Sequence, residues 1–167
     1  EAVQRADAAG LVFVVAAGND GASNDKANFY PANANTPNMI NVAASDSSDA
    51  KPYWSNFGKH RVDVAAPGAD IMSTLPGNNY ASLSGTSMAT PMVAGLVALL
   101  LAQDDSMTGV EVRSLIQSTG AKVGIETACD CRVDANTAVE AIVNKTPFVV
   151  PFAESIEIGE EMKFHMK

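Results

Sequence analysis

Basic residues are scarce in this sequence. Eleven Lys and Arg stand against nineteen Asp and Glu, which gives a formal net charge of -8. No basic cluster interrupts this acidic excess. Proteins that bind nucleic acid rely on lysine and arginine contacts to the phosphates. The composition therefore predicts no nucleic-acid partner.

Cysteine is almost absent. The two cysteines, Cys129 and Cys131, are separated only by Asp130. This spacing is too short for an ordinary unstrained disulfide between them, so we expect two free thiols, or one thiol bridged elsewhere. Both histidines, His60 and His165, are distant in sequence, which argues against a zinc site.

Long hydrophobic runs are missing as well. The longest run covers residues 92–102, broken only by Gly95, and is well short of the roughly 20 residues that a membrane span requires. We therefore expect a buried core helix there and no membrane partner. The chain opens on an amphipathic helix ending at Gly10, without a signal peptide, so we expect that the true N-terminus has been lost or lies on another chain.

The sequence does contain enough apolar material for one domain, since 47% of its residues are hydrophobic. The continuous apolar run at residues 11–17 predicts a strand buried on both faces of a parallel sheet. A helix followed by a buried strand indicates an α/β fold. Further strands are predicted at residues 39–44, 62–66, 71–74 and 80–84, and helices at residues 92–103, 108–118 and 134–144.

The sequence changes character after Pro147. Residues 1–146 are predicted to form the main domain, and residues 147–167 a tail. Alternating apolar residues around Gly159 predict that the tail is a β-hairpin or the start of a further segment. These residues are Ile156, Ile158, Met162, Phe164 and Met166.

Ser87 is the first candidate for chemistry. It lies between a turn containing Gly85 and the start of an apolar helix, so its hydroxyl can project from a rigid support. The N-terminus of a helix also favours developing negative charge. Taken locally, the sequence favours Ser87 as the N-cap residue of that helix instead.

Four segments together resemble the subtilisin family of serine peptidases. Residues 85–91, Gly-Thr-Ser-Met-Ala-Thr-Pro, are similar to its nucleophile motif, and residues 14–19, Val-Val-Ala-Ala-Gly-Asn, to its oxyanion strand. Residues 30–32 resemble a substrate-pocket loop and residues 64–68 the strand before the nucleophile. The resemblance covers roughly residues 1–144. It implies a three-layer domain with a mostly parallel central sheet, whose N-terminal part is absent from this chain.

The resemblance also implies roles for particular residues. Ser87 would attack the scissile carbonyl of a peptide or protein substrate, and Asn19, with the Ser87 backbone amide, would bind the oxyanion. The alternative for Asn19 is a turn residue. Substrate-binding positions would be Ala16, Ala17, Gly18 and Gly85. Phe29 would either line the primary pocket or pack under its loop.

The catalytic aspartate and histidine of the family precede the serine in chain order. Both are therefore expected upstream of Glu1, and neither His60 nor His165 matches the family's base. This chain alone is expected to be inactive, with the N-terminal part of the same domain as its partner. The alternative function is a pseudoenzyme or a scaffold that binds a partner.

No cofactor is expected for the chemistry. Residues 32–38 and Asp63 resemble a region where relatives bind a cation, so a structural calcium ion is one interpretation and a solvated loop is the other. Because subtilisin-like enzymes are mostly secreted or vesicular, the resemblance implies an extracellular or secretory location.

Overall fold

The computed structural model describes residues 1–34 and 36–150 and has helices on both faces of a five-stranded sheet. The helices are α1 (Ala2–Ala8), α2 (Thr86–Gln103), α3 (Gly109–Thr119) and α4 (Ala135–Val143), with a short 3-10 helix at Ala32–Ala34. The strands are β1 (Phe13–Ala16), β2 (Met39–Ser45), β3 (Val64–Pro67), β4 (Ile71–Leu75), β5 (Asn79–Leu83), β6 (Ala121–Lys122) and β7 (Cys131–Arg132).

The central sheet is mostly parallel, as predicted. Its strand order is β1-β2-β3-β7-β6; the first four strands pair in parallel and β6 is antiparallel to β7. All seven residues of β2 are buried, as expected for a strand between two neighbours and two layers. In β1 only Val15 is buried, so the prediction of burial on both faces was wrong for most of this strand. Within the described residues β1 pairs on one side only.

Side chains from alternate strand positions meet different layers. The main core lies between the sheet and helices α2, α3 and α4, and it includes Ile40, Val42, Val64, Leu100 and Leu115. On the opposite face, Val3 of α1 packs against Phe13 and Val15 of β1. The architecture is therefore the predicted three-layer arrangement, which holds the ends of β1 and β3 close to the start of α2.

Helices α3 and α4 begin where the sequence places their caps. Thr108 and Glu111 form a capping box, in which each side chain bonds the backbone of the other residue. The Asp134 side chain accepts a hydrogen bond from the Thr137 amide at 2.9 Å and caps α4. Both helices thus begin at the predicted residues, and both pack on α2.

Helix α2 begins at Thr86, six residues earlier than its apolar run, and only one of its sides is covered. That side contacts β1, β2, β3 and α4. On the opposite side Met92 and Leu99 are 45% and 46% exposed. The expectation of a helix buried all round was therefore wrong for the described part of the chain, because the sheet and α4 cover a single side.

By length and composition alone, α2 could also cross a membrane, since its 18 residues have a mean hydropathy of 1.5. It is the one such helix in the described part of the chain. Its packing against three strands is that of a core helix in a layered domain.

Strands β4 and β5 form a separate antiparallel hairpin with an exposed turn. Gly77 and Asn78 both have positive φ, of 80° and 60°, as tight hairpin turns require. Leu75 pairs with Asn79 next to this turn, and Ile71 pairs with Leu83 at the open end. The hairpin leads directly into Gly85 and α2.

Cys129 and Cys131 form a disulfide with each other, so the prediction that they would not was wrong. Asp130 between them adopts a left-handed conformation, with a φ of 52°. This turn leaves the two Cα atoms 5.1 Å apart, within the ordinary range for disulfides. Gly120 lies against the bridge, where a Cβ atom would collide with Cys131 Sγ.

Among the described residues, no cluster of three His, Cys, Asp or Glu could hold a metal ion.

The tail is described only as far as residue 150. Phe148 still packs against the main core. The hairpin predicted around Gly159 lies outside the described residues.

Candidate functional site

Ser87 lies in the first turn of α2 with its side chain exposed. Gly85 is the N-cap residue of this helix, so the alternative that Ser87 itself is the N-cap was wrong. The Gly85 amide donates to the Gly68 carbonyl at 2.8 Å, which ties the start of α2 to the end of β3. In the described part of the chain the Ser87 amide has no hydrogen-bond acceptor, as is common for the N–H groups in the first turn of a helix.

Asn19 follows the end of β1, and its side chain reaches the same turn. Asn19 Oδ1 accepts two hydrogen bonds, from the Thr86 amide and from Thr86 Oγ1, both at 2.9 Å. Thr86 Oγ1 in turn accepts a bond from the Gly18 amide at 3.2 Å. Because a backbone amide can only donate, the contact with Thr86 identifies the oxygen of the Asn19 side chain. The amide nitrogen, Asn19 Nδ2, therefore points away from Thr86.

Two hydrogen-bond donors border one space in front of Gly85. A Cβ atom built on Gly85 would lie 3.6 Å from Asn19 Nδ2 and 3.7 Å from the Ser87 amide nitrogen. Met88 Sδ lies 3.6 Å from the same point, and a glycine at position 85 adds no further side-chain atom to the space. Two such donors facing one point can bind an oxygen that carries negative charge.

The predicted substrate-binding residues lie at different depths. Gly18 and Gly85 adjoin Asn19 and Ser87 directly. Ala17 is buried, its amide donates to the Val42 carbonyl, and its carbonyl accepts bonds from two asparagine side chains. Its backbone polar groups are therefore already used within the fold. The substrate roles of Ala16, Ala17, Gly18 and Gly85 stay predictions.

Asn56 was not selected from the sequence, yet it contacts the segment that carries Asn19. Its Oδ1 accepts from the amides of Asp20 and Ala22 at 2.9 and 3.0 Å, and its Nδ2 donates to the Ala17 carbonyl at 3.0 Å. Nothing in the local pattern around Asn56 marks this role, because its partners lie more than 30 residues earlier in the chain.

The described residues include one of the two histidines, His60. His60 is exposed, its backbone amide donates to Asp25, and it lines a cavity of about 190 Å³ with Asp63. His165 lies outside the described residues. Among the described residues, no His, Asp or Glu hydrogen-bonds the Ser87 hydroxyl. The position of the general base, expected upstream of Glu1, stays a prediction.

Asp63 is the most perturbed acid of this region. Burial raises its carboxyl pKa to about 6, although the Asn41 amide, Arg113 and Gln117 all favour the charged form. One carboxylate oxygen accepts from the Asn41 amide at 2.7 Å, and the other accepts from Gln117 Nε2 at 3.0 Å. Arg113 lies 4.0 Å from the second oxygen. The carboxylate is therefore already satisfied by protein donors.

This donor set does not fit calcium. Calcium takes six to eight oxygen ligands, whereas the cavity beside Asp63 is also lined by His60, Arg61 and Arg113. The Arg61 guanidinium donates to the Asn33 carbonyl at 3.4 Å, one of the backbone oxygens of the predicted cation loop. The side chains beside Asp63 therefore favour a solvated cavity, and cation binding by the backbone of residues 32–38 stays a prediction.

Comparison with known proteins places this geometry in context. The model of the Subtilase family matches residues 1–143. The chain is 42% identical over 123 residues to subtilisin E of Bacillus subtilis (strain 168), which is 73% of this chain and 32% of that protein. It is 48% identical over 114 residues to the thermophilic serine proteinase of Bacillus sp. (strain AK1), covering 68% of this chain and 26% of that protein.

A solved structure is similar as well. A protease from Pseudoalteromonas arctica PAMC 21717 superposes with a TM-score of 0.75 and 34% sequence identity, over 84% of this chain and 45% of that one. The chain thus spans between 26% and 44% of the length of the curated relatives that it matches and less than half of this solved chain.

Proposed function

Because the chain belongs to the subtilase family, we propose that the whole protein is a serine endopeptidase with Ser87 as its nucleophile. The observation that carries this proposal is the common space in front of Gly85, bordered by Asn19 Nδ2 and the Ser87 amide. Ser87 is exposed beside this space. An attacking hydroxyl and two oxyanion donors are thereby grouped at the start of one helix.

The reaction follows from this grouping. Ser87 Oγ attacks the carbonyl carbon of the scissile peptide bond, and its proton passes to a general base outside this chain. The carbonyl oxygen becomes an oxyanion and accepts hydrogen bonds from Asn19 Nδ2 and the Ser87 amide. Collapse of this intermediate expels the amine with the proton from the base and leaves an acyl ester on Ser87. Water then hydrolyses the ester by the same steps and releases Ser87.

The substrate is proposed to be a peptide or protein, cleaved either with broad specificity or with a preference for apolar side chains. The primary pocket is proposed to adjoin Gly18, where a Cβ atom would lie 2.5 Å from Asn56 Nδ2 and 3.0 Å from Phe29 Cζ, so that Phe29 limits this space. Phe29 also packs with Val15 and Met39, and these two core residues hold the ring in place. We expect this ring to favour smaller apolar substrate side chains in that pocket.

The partner is proposed to be the N-terminal part of the same domain, carrying the aspartate and histidine. Three observations support this: the described residues offer Ser87 no base, the chain spans less than half of the curated subtilisins, and one side of α2 is apolar but uncovered. The uncovered side consists of Pro91, Met92, Ala94, Gly95, Ala98, Leu99 and Ala102. Without this partner the chain is proposed to be inactive. The chemistry requires no cofactor, nucleic acid or membrane.

The protein is proposed to act outside the reducing cytoplasm. The Cys129–Cys131 disulfide supports this location, because such bridges persist mainly in oxidising compartments. The family resemblance points the same way.

The alternative is a pseudoenzyme or scaffold that retains only the fold. Its weakness is that a fold without catalysis has no need to keep both Asn19 Nδ2 and the Ser87 amide directed at one space. The arrangement at Gly85 favours the enzyme.

Labelling with a fluorophosphonate probe, which reacts with activated serines, tests the proposal. We expect the full-length precursor to be labelled after activation, and both its Ser87→Ala variant and the 167-residue chain alone to remain unlabelled. Labelling of the chain alone would contradict the missing base. Absence of labelling in every sample, despite correct folding, would favour the scaffold.

A further inference from the structure

Asn56 is a buried amide, 1% exposed, and its side chain uses both of its ends. Asn56 Oδ1 accepts hydrogen bonds from the backbone amides of Asp20 and Ala22, at 2.9 and 3.0 Å. Asn56 Nδ2 donates to the Ala17 carbonyl and to Asn24 Oδ1, both at 3.0 Å. The side chain is therefore fully satisfied, as a buried amide must be.

The backbone of Asn56 adds a fifth contact to the same segment. Its amide donates to the Gly18 carbonyl at 3.0 Å. The Asn56 side chain also lies so close to Gly18 that a Cβ atom there would come within 2.5 Å of Asn56 Nδ2. Gly18, with a φ of 113°, adopts a conformation that residues with a side chain rarely reach.

These contacts lie on both sides of Asn19. The peptide group before Asn19 is held through the Gly18 carbonyl, and the peptide group after it through the Asp20 amide. Thr86 holds only the side chain of Asn19, through Oδ1. Two independent sets of bonds thus fix one amide: Asn56 fixes the backbone from which it projects, and Thr86 fixes its rotation.

We propose that Asn56 is a positioning residue of the oxyanion hole, which holds the Asn19 backbone so that Nδ2 faces the developing oxyanion. This inference rests on the proposed peptidase function. Oxyanion stabilisation depends on donors that are already in place when the charge develops, and a small displacement of a catalytic group lowers the rate steeply. Asn56 acts through Asn19 and does not itself touch the substrate.

The prediction concerns the full-length enzyme. Asn56→Ala lowers kcat by about tenfold or more with little change in KM. It weakens binding of a peptide boronate, which forms a tetrahedral adduct at the serine, by a similar factor. Binding of a product peptide, which forms no oxyanion, stays within about twofold. Active-site titration with the fluorophosphonate probe counts the folded molecules, so that loss of folded protein is not read as loss of rate.

A double-mutant cycle separates positioning from general stability. If Asn56 acts through Asn19, Asn56→Ala has an effect of less than about twofold on kcat in an Asn19→Ala background, because the donor that it positions is gone. An equal loss of kcat in both backgrounds, or a change confined to KM, overturns the proposal. Asn56→Ser, which keeps one hydroxyl acceptor, serves in the same cycle where the alanine variant does not fold.

Asn41 supplies the matched control. It is also a buried asparagine, 0% exposed, and its Nδ2 donates to the carbonyls of Ala32 and Arg61, but among the described residues its side chain makes no hydrogen bond to residues 17–22. Asn41→Ala should lower the melting temperature and leave kcat per titrated site unchanged. Peptide hydrolysis at the wild-type rate in Ser87→Ala would instead contradict the proposed function itself, whatever the Asn56 variants show.

Discussion

The start of helix α2 and its uncovered side differ in how completely the described residues surround them. Where α2 starts, polar groups are closely matched: Asn19, Thr86 and Gly18 form a continuous set of hydrogen bonds, and Asn56 holds the backbone beneath them. Along its uncovered side the helix presents apolar residues and no polar partner among the described residues, with Leu99 46% exposed. One region is complete within this chain, and the other requires a further surface.

The difference indicates which catalytic groups this chain supplies and which ones the rest of the protein is proposed to supply. The groups proposed to bind the oxyanion come from the segment after β1 and from the start of α2, and hydrogen bonds inside the described residues hold Asn19 in place. The group that must accept the Ser87 proton is proposed to arrive with the part that covers α2. Binding the oxyanion and activating the nucleophile would thus be supplied by different parts of the chain.

A charge on the uncovered side of α2 tests this division most severely. Leu99→Asp in the full-length enzyme should lower the free energy of unfolding by roughly 3–5 kcal/mol, because a buried unpaired charge is costly. Val143→Asp is the matched control, since Val143 lies on α4 and is 64% exposed. Chemical denaturation measures both. Equal losses would show that the Leu99 side of α2 is open to water in the whole enzyme.

Removing the Asn19 amide disrupts the hydrogen-bonded region at the start of α2. Asn19→Ala should lower kcat by about a hundred- to a thousandfold, the loss already measured for such a donor in a subtilisin. Asn19→Asp keeps an oxygen for Thr86 but replaces the donor with a second oxygen, and it should be no more active than Asn19→Ala. Steady-state kinetics on the full-length enzyme give the result. Asp20→Ala, at the exposed neighbouring residue, should stay close to wild type.

The smallest effect is expected at Asp63, which directly precedes β3. Its pKa is raised from 3.8 to about 6 in the folded protein, so between these values the folded state keeps a proton that the unfolded state has released. The contribution of Asp63 to stability is therefore full below about pH 4 and is lost as pH rises through 6, by at most about 3 kcal/mol. Asp63→Asn should remove this pH dependence.

Urea unfolding between about pH 4 and pH 7 measures the Asp63 effect. The full-length Ser87→Ala protein is the suitable background, because it cannot digest itself during the measurement. The wild-type Asp63 protein should lose stability relative to Asp63→Asn as pH rises. Parallel curves for the two proteins would contradict the raised pKa.

Much of the fold could be predicted because its signals are local. The apolar run of β2, the capping box at Thr108 and the turn before Ser87 each depend on residues close together in sequence, and the structure confirms all three. The motif resemblance added the family, which the comparisons confirm.

What the sequence did not reveal depends on distant or unusual geometry. Asn56 binds residues more than 30 positions away, so no spacing rule identifies it. The disulfide depends on Asp130 adopting a positive φ, which is uncommon for a residue other than glycine. The exposure of one side of α2 could not be predicted, because an apolar composition does not indicate which chain segment will cover a helix.

The β4–β5 hairpin has a practical consequence. It pairs only with itself among the described residues and turns at Gly77 and Asn78 in an exposed position, and exposed loop tips of this kind tolerate insertions. A short epitope or fluorescent tag grafted at this turn would leave the five-stranded sheet untouched. The hairpin is therefore a suitable place to attach a reporter to this protein.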